Sequence, residues 1–582
     1  MIRVGFILDA NPGVGVEATG SSMLRALAAA RTTSLIVVSV FCWLAASFLA
    51  SSLWATAARS ADPDESFYVS QVSAATTGDL APGAQIVVPG RPLSIQEAVA
   101  LSIRNNLDVE VERFAPMISE AENQGAWGVY DPLLSADMVW DVAKSPNSFG
   151  LDDATTSRDR ELGGGVGVEQ LIPYVGATVS ARYESSSKMT RSTVQAFSPQ
   201  YDSSFFLEAK VPLARGLIWN QEWTNVKVAG LAYSSSLEGF RASLMDLVQT
   251  TVDAYWSLIA SRDQVFVAQK SLETARALLE QTKTQYEVGV ISRVEVVEAE
   301  AGVADRELQV IRSANVYRNA QDQIVNFVLG TELSAISDLH FSPTDDPAAF
   351  EPRTVNISRA VDRAFRNRPE LQQVGLEIDQ GEVNVKFAKN QRLPQLDAEF
   401  RYGFVGKAGD PNISQTLGDP PNTSSFADAH NDFFKSDGAD NFRVMGRFSI
   451  PFPNTTARKR VIRNELELRR ARTRETRLEQ SIILEIRIAA RTLLASFQGI
   501  EASERRRLAA TEQLRAERIR LEHGESTPFE VLQRESDLVE AESQKISALQ
   551  TYRSSEVALE RSQGTILDFH NIVLDDAAEF TY

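Results

Sequence analysis

Two long helical stretches, each broken near its middle by one glycine, constrain the fold of this 582-residue chain more than any other feature. The first, TQYEVGVISRVEVVEAE at 284–300, places Gly289 in a helical run, where glycine costs about 1 kcal/mol relative to alanine. The second, IRLEHGESTPFEVLQRE at 519–535, places Gly524 in the same way. A hydroxyl residue and then a Glu-Val pair follow each glycine at the same spacing. This pattern predicts a helix-turn-helix hairpin in both places.

Each turn is therefore predicted to be the tip of a hairpin. The tip residues are Gly289, Val290 and Ser292 in the first hairpin and Gly524, Glu525 and Thr527 in the second. Glu295 and Glu530 follow at matching positions in the first turn of the next helix. The helix dipole favours an acid in that place by about 0.3–1 kcal/mol. Helix capping alone is thus one sufficient reason for both carboxylates.

The helices around the first glycine carry a seven-residue period. Large residues recur at Leu258, Val265, Leu272, Leu279 and Tyr286, and small residues recur at Ala254, Ser261, Ala268, Ala275 and Thr282. After the glycine, the same period runs through Val296, Val303, Val310, Tyr317 and Ile324. Alternating large and small rows predict close antiparallel coiled-coil packing. Helices of about forty residues would reach about 60 Å, which is too long for a globular domain.

An internal repeat organises the rest of the chain. A shift of 262 residues aligns SIQEAVALSIRNNLDVEV (94–111) with NISRAVDRAFRNRPELQQ (356–373). The same shift aligns YDPLLSADMVW (130–140) with RLPQLDAEFRY (392–402). Apolar and polar residues alternate in the second pair. This alternation is typical of a transmembrane strand and also of a half-buried strand in a soluble sandwich.

The first repeat contains four candidate strands and the second contains two. They are predicted at about 130–142, 162–170, 175–185 and 203–213, and at about 394–404 and 441–452. Prolines, which cannot continue a strand ladder, mark the boundaries at Pro132, Pro212, Pro394 and Pro451. A loop rich in Gly, Asp, Asn and Ser (406–440) joins the last two strands and is predicted to be exposed and mobile.

The N-terminal segment predicts export. An uncharged stretch between Arg31 and Arg59 ends in ATA at 55–57, the pattern of a secretory signal peptide covering 1–57. An uncleaved transmembrane anchor is the alternative, because the stretch is long enough to span a membrane. Cleavage after residue 57 would remove Cys42, the single cysteine, together with three arginines and two acids, so the net charge changes from −18 to −19. A cysteine-free acidic chain suits an oxidising compartment of the envelope.

Composition and motifs exclude several classes of function. The 59 basic and 77 acidic residues argue against nucleic-acid binding, which usually shows a basic surplus. A basic run at 457–477 also carries acids, so a solvated helical surface is the favoured interpretation. The four histidines are scattered, and the sequence has no thiol pair and no phosphate loop. Neither catalytic residues, nor a metal site, nor a cofactor is predicted.

From about Leu93 to Leu567, the chain resembles the outer-membrane efflux (TolC-like) family. The resemblance depends on three motifs that occur twice in the same order: the openings SIQEAVALSIRNNLD and NISRAVDRAFRNRPEL, the strands DPLLSADMVW and LPQLDAEFRY, and the tips YEVGVISRVEVVEAE and LEHGESTPFEVLQRE. It implies a mixed α/β membrane protein, in which a trimeric outer-membrane β-barrel is continued by a long α-helical coiled-coil tunnel in the periplasm. Family subunits contribute four strands, two per repeat, so the extra strand pair departs from the family's pattern.

The resulting organisation has six segments. They are a signal peptide (1–57), an N-terminal extension (58–92), a first repeat (93–330), a mid-tunnel belt (331–355), a second repeat (356–567) and a C-terminal tail (568–582). Each repeat is predicted to contain a helix, barrel strands and a helical hairpin, with the tips near residues 289 and 524.

The resemblance further implies an exit duct that passively conducts substrate across the outer membrane. Its expected partners are further copies of the chain in a homotrimer, a periplasmic adaptor protein, an inner-membrane pump of the RND or ABC type, and outer-membrane lipid. The tip residues would dock the adaptor, and Glu295 and Glu530 would form an acidic periplasmic gate that favours cations. A type I protein secretion duct and a non-transporting periplasmic coiled-coil protein are the alternatives.

Overall fold

The computed structural model describes residues 90–146, 156–190, 197–330, 339–411, 424–435 and 440–572. The predicted signal peptide, nearly all of the predicted N-terminal extension and most of the predicted tail lie outside these residues. Within the described ranges, no helix combines the length and the apolar character that a membrane crossing requires.

The described strands form two sheets. Six long strands are β2 (Leu133–Pro146), β3 (Thr156–Leu171), β4 (Thr178–Met189), β5 (Phe197–Pro212), β7 (Gln395–Pro411) and β8 (Asp440–Ser449). They form one antiparallel sheet in the order β2-β3-β4-β5-β7-β8. Two short strands, β1 (Arg91–Leu93) and β6 (Phe341–Pro343), pair in parallel.

Several strands are longer than the sequence predicts, chiefly at the end of the sheet away from the helices. The strand predicted at about 203–213 begins at Phe197, and the strand predicted at about 394–404 continues to Pro411. These extensions contain small and polar residues, such as the facing pair Asp202 and Lys407. Backbone hydrogen bonds hold such pairs whatever their side chains are, so the apolar alternation ends before the strand does.

The part of the chain that the structure describes contains ten α-helices. They are α1 (Ile95–Asn105), α2 (Leu107–Trp127), α3 (Gln221–Glu287), α4 (Arg293–Leu329), α5 (Ile357–Asn367), α6 (Pro369–Gln391), α7 (Phe426–Lys435), α8 (Thr455–Glu522), α9 (Pro528–Gln563) and α10 (Ile566–Phe569). The first hairpin consists of α3 and α4, and the second consists of α8 and α9. Nearer the sheet, α2 packs on α3, and α6 packs on both α3 and α8.

The helix before the first tip is much longer than predicted. It has 67 residues and so spans about 100 Å at 1.5 Å per residue. Its first turns contain Gly230 and a serine run at 234–236, which weaken helix propensity. Asn220 caps its start by accepting a hydrogen bond from the Trp223 N–H at 2.7 Å. Packing against α2 and α6 then stabilises a stretch whose local propensity is weak.

The small-residue row of α3 is buried along the first hairpin. Ala254 and Ala268 are 4 % exposed, and Ala275 and Thr282 are 1 % exposed. Small side chains let neighbouring helices approach closely over this length. The large row is covered less evenly, because its last member, Tyr286, is 45 % exposed beside the tip.

The short strands β1 and β6 lie over the long helices. Tyr255 of α3 is fully buried beneath them, and its hydroxyl oxygen lies 2.9 Å from the Leu93 carbonyl oxygen and 2.5 Å from Asp345 Oδ2. Arg91 and Pro92, which the sequence assigns to the N-terminal extension, belong to this pairing. A strand of three residues is too short to produce an alternation in the sequence, which is why it was not predicted.

The loop predicted between the last two strands contains a helix. α7 packs against β5 and β7, with Ala429 fully buried. The ring of Phe426 meets the ring of Tyr201 edge-on, with centroids 4.9 Å apart. A Cβ at Gly406 would lie 2.0 Å from the Ala429 carbonyl oxygen, so glycine permits this close approach. The expectation of an irregular loop is wrong at α7, because contacts with distant strands, and not local composition, form the helix.

Candidate functional site: an amphipathic sheet and two helical tips

One face of the six-stranded sheet is apolar and open. The strand register places large apolar side chains from all six strands on this face: Leu134, Met138, Trp140, Leu162, Val168, Val179, Leu207, Phe400, Tyr402, Phe442, Val444 and Phe448. Each of them is between 41 % and 79 % exposed. We call this surface the apolar face. An exposed apolar surface of this extent marks contact with lipid or with another protein.

The opposite face of the sheet is polar. Arg182 of β4 donates to Asp137 Oδ1 of β2 at 2.5 Å, and Arg447 of β8 lies 3.6 Å from Glu399 of β7. Side chains alternate between the two faces along each strand. The sheet is therefore suited to lie between an apolar phase and water.

The four boundary prolines lie at the end of the sheet that joins the helices. Pro132 and Pro394 directly precede β2 and β7, Pro212 is the last residue of β5, and Pro451 follows the end of β8 by two residues. A proline has no N–H for the ladder, so each of them suits the start or the end of a strand.

α7 covers part of the apolar face. The rings of Tyr183 and Tyr201, which point to this face, contact the helix. The residues that share this face farther along the strands are small, including Ser185 and Ser203, and Ser203 is only 1 % exposed. The helix therefore lies where large outward side chains give way to small ones.

Gly289 and Gly524 form tips of one geometry. Their φ angles are +79° and +78°, in the left-handed region that glycine adopts at little cost. In each tip the glycine N–H donates to the carbonyl oxygen three residues earlier, at 2.9 Å in the first and 3.0 Å in the second. The next N–H donates to the carbonyl oxygen five residues earlier, at 2.9 Å in both. These bonds satisfy the carbonyl groups at the end of the first helix.

The two tip carboxylates have different surroundings. The backbone N–H and the hydroxyl of Ser292 donate to Glu295 Oε1, at 3.5 and 3.2 Å. At the second tip, the Glu530 N–H donates to Thr527 Oγ1 at 3.4 Å, but the exposed Glu530 carboxylate has no partner among the described residues. Glu295 thus caps its own helix, whereas Glu530 is free to act on the surroundings of the tip.

Apolar side chains project from the tips. Val288 is 70 % exposed, Val290 is 71 % exposed, and Phe529 is 55 % exposed. Exposed apolar residues at the end of a helical hairpin suit contact with a partner protein. Val290 is among the tip residues that the sequence predicts, whereas Val288 and Phe529 are not. An apolar residue within a few positions of each tip glycine is the signal that would have found them.

Behind the tips, the two hairpins pack against each other. Leu278 of α3, Leu514 of α8 and Val531 of α9 form one buried cluster. The Ser526 hydroxyl donates to Glu517 Oε1 of α8 at 2.6 Å, which ties the second tip to its own hairpin. Both tips therefore project from a packed helical base.

Five charged side chains form a network where the second hairpin ends. Arg561 of α9 donates to Asp246 Oδ1 of α3 at 2.6 Å and to Glu370 Oε1 of α6 at 2.8 Å. Arg368 donates to Glu370 at 3.2 Å and to Glu485 of α8 at 2.6 Å. We call this the ion network. It joins four helices, and no motif in the sequence predicted it.

The ion network sets the charge of Glu370. Burial opposes ionisation of this carboxyl, but the hydrogen bonds and positive charges of Arg368 and Arg561 outweigh it and lower the pKa to about 2. The repeat alignment contains a signal for this network. Arg368 and Glu370 align with Asn106 and Asp108 of the first repeat, so the acid occurs in both repeats but the arginine occurs only in the second.

The chain has the fold of a TolC-like outer-membrane channel. It belongs to the outer membrane efflux protein family, whose model matches residues 165–329 and 360–565. A relative, the outer membrane protein TolC of Vibrio cholerae, is 20 % identical over 400 residues, which is 68 % of this chain and 83 % of the relative. These relatives are channels and not enzymes.

Solved structures share the fold. The outer-membrane channel OprN is 16 % identical and superposes with a TM-score of 0.58, covering 81 % of this chain and 90 % of that one. The CmeC outer membrane channel of Campylobacter jejuni is 14 % identical with a TM-score of 0.57, covering 81 % of this chain and 86 % of that one.

Proposed function

We propose that this chain forms the exit duct of a tripartite efflux or secretion system, which passively conducts substrate from a periplasmic adaptor and an inner-membrane pump to the exterior. Three copies would close their sheets into one barrel in the outer membrane and their hairpins into one periplasmic tunnel. The apolar face carries this proposal, because large exposed apolar side chains on all six strands oppose a polar face. Lipid outside the barrel and water inside it would satisfy both faces.

The edges of the sheet support assembly from several copies. β2 and β8 are the edge strands, and every residue of β8 is exposed in one copy. Unpaired backbone N–H and C=O groups are not tolerated in lipid. Pairing between copies would satisfy both edges at once, and the family resemblance supports three copies.

Membrane fractionation and planar-bilayer recording test the proposed duct. We expect the protein in the outer-membrane fraction, as a trimer in mild detergent that opens stable conductance steps in a lipid bilayer. A monodisperse monomer, or an inserted protein that passes no current, would contradict the proposal. Recovery in the soluble periplasmic fraction would favour the coiled-coil alternative. Loss of polypeptide export after gene deletion, with small-compound export intact, would identify the type I secretion duct.

Export should leave a mature chain that begins near Ala58. The small residues at 55–57 suit signal-peptide cleavage. N-terminal sequencing of the envelope protein checks this expectation. An intact segment from Arg25 to Arg31 on an inner-membrane species would instead support the uncleaved anchor.

The tips are proposed to dock the periplasmic adaptor. Their exposed positions are Gly289, Val290 and Ser292 in the first tip and Gly524, Glu525 and Thr527 in the second. The shared turn geometry and the exposed apolar side chains beside it support this role, because both tips present a similar surface to a partner. Docking would place the adaptor at the entrance of the proposed tunnel.

Replacing either tip glycine with valine should impair docking and leave the barrel intact. A valine at a φ near +79° is strained, by about 1–3 kcal/mol, so the turn must change shape. We expect adaptor cross-linking to fall severalfold for Gly289→Val and Gly524→Val, with unchanged outer-membrane insertion. Gly499→Val is the matched control, since Gly499 lies within α8, has no neighbour that a Cβ would meet, and is far from the tips. Equal cross-linking in all three variants would remove the tips from the docking surface.

A further inference from the structure

We propose that three copies close an eighteen-stranded barrel, in which β2 of one copy pairs with β8 of the next in one antiparallel register. In this register Asp137 faces Arg447, and Asp141 faces Arg443. The inference rests on the proposed homotrimer. It adds the seam, which is the pairing of β2 with β8 between copies, and the width of the barrel. Four strands per subunit, as the family resemblance implies, would give a barrel of twelve.

The first two strands belong to the wall of the barrel. β2 pairs with β3 along its whole length of fourteen residues, and β3 continues into twelve pairs with β4. Leu134, Met138 and Trp140 of β2 share the apolar face with the other strands. If the β2–β3 hairpin lay outside the barrel wall, both of its faces would meet the same environment, and an alternation of apolar and polar side chains would not be expected.

The two edge strands carry opposite charges on the polar face. Asp137 and Asp141 lie four residues apart on β2, and Arg443 and Arg447 lie four residues apart on β8. Where two copies meet, these strands run antiparallel, because each strand of the sheet reverses the direction of the one before. Equal spacing on antiparallel strands lets one register pair both acids with both arginines.

One copy alone leaves part of this charge unpaired. Asp141 and Arg443 have no charged partner among the described residues, and both are exposed. A shift of two residues in either direction would keep the faces of the strands but would separate both pairs. A shift of one residue would send apolar side chains to the polar face. The charges therefore select a single register.

The apolar side of the same register is complementary in size. Trp140 would face Val444, and Met138 would face Gly446. Gly446 has no atom within 4 Å of an added Cβ in one copy, which leaves space for a large side chain from a neighbour. Cross-strand pairs of this kind stabilise antiparallel strands.

An eighteen-stranded barrel would be wide. Barrel diameter grows roughly in proportion to strand number, so the wall would be about 1.5 times as wide as one of twelve strands. Barrels of 16 to 18 strands leave an aqueous channel. The extra strands widen the barrel but add nothing to the proposed tunnel, which is built from two hairpins per copy. The narrowest passage would therefore lie in the tunnel and not in the membrane.

Disulfide trapping tests the seam. Val139 and Met445 would face each other on the polar side, so Val139→Cys with Met445→Cys should give covalent dimers and trimers after oxidation. Cys42 is the single native cysteine, and a Cys42→Ser background leaves only the introduced thiols. Val139→Cys with Asn441→Cys moves one thiol by four residues, about 13 Å, and should give no cross-link. Asp141→Arg should lower the temperature at which the trimer dissociates, and adding Arg443→Asp should restore it.

The results that would contradict the eighteen-stranded barrel differ from those that would contradict the proposed duct. A trimer that forms cross-links from β4, through Ser180→Cys or Ser186→Cys with Met445→Cys, and none from β2 would exclude β2 and β3 from the wall and overturn the eighteen strands. The duct itself would stand in that case. A protein with neither trimer nor cross-link would remove both proposals. Polymer exclusion in a bilayer gives the second measurement. If the tunnel is the narrowest passage, polymers added from the outer side should enter the barrel up to a larger size than polymers added from the tunnel side. Equal cut-off sizes from the two sides would contradict the wide barrel.

Discussion

Arg561→Met is expected to lower the free energy of unfolding by about 3–5 kcal/mol. Arg561 is 8 % exposed and binds both Asp246 and Glu370. Methionine occupies a similar volume but leaves Glu370 with only Arg368 as a positive partner. Removing one member of a buried ion pair is costly because the remaining charge stays partly out of water.

Thermal unfolding at fixed protein and detergent concentrations measures this loss, since association contributes to apparent stability. Arg515→Met is the matched control, because Arg515 is 72 % exposed and lies 3.6 Å from Glu512. Exposed ion pairs of this kind contribute about 0–1 kcal/mol. Adding Glu370→Gln to Arg561→Met should recover part of the loss. Equal losses for the two arginine variants would show that the ion network contributes nothing specific.

The ion network also predicts a loss of stability in acid. The pKa of Glu370 falls from its ordinary value of 4.5 to about 2 in the folded chain. A lowered carboxyl pKa means that the contribution is complete above about pH 4.5 and disappears as the pH falls toward 2. Glu370→Gln should therefore flatten the dependence of unfolding on pH in this window. A steep dependence that persists in the variant would assign the acid sensitivity to other groups.

Removing both tip carboxylates is expected to reduce the cation preference of the channel and to change its single-channel conductance. Three copies of Glu295 and Glu530 would place six negative charges at the periplasmic end of the proposed tunnel. Rings of carboxylates favour cations in a pore. Glu530 should contribute more than Glu295, because its carboxylate is free whereas that of Glu295 accepts bonds from Ser292.

Reversal potentials in a planar bilayer under a salt gradient measure this preference. The double variants Glu295→Ala/Glu530→Ala and Glu295→Gln/Glu530→Gln both remove the charge, but glutamine keeps a group that can cap the helix. We expect the same loss of preference in both and a loss of about 0.3–1 kcal/mol of stability in both, because the helix dipole favours the charge. The alanine variant should lose more, because it also lacks the capping group. Unchanged selectivity with lower stability would reduce both residues to helix caps.

The long helices and their turns can be predicted from the sequence, because they depend on local patterns of residues. A glycine, a hydroxyl residue and an acid at fixed spacing specify each tip, because backbone conformation and capping depend on residues within one turn. The heptad rows around Gly289 likewise identify the buried side of α3, where Ala268 and Ala275 are nearly inaccessible. Alternation of apolar and polar residues marks the strands of the six-stranded sheet, since one face of each strand meets one environment.

Contacts between distant residues are a different matter, because their energy depends on partners that no local pattern specifies. α7 forms where Gly406 lets a helix approach the sheet, although its surroundings in the sequence are typical of a loop. α3 extends through Gly230 because α2 and α6 pack against it. Arg561 meets Glu370 across 191 residues of chain. The local sequence determines the two tips and most of the helices and strands. The packing of those segments determines which charges meet, where α7 forms, where α3 continues and which strands are left at an edge.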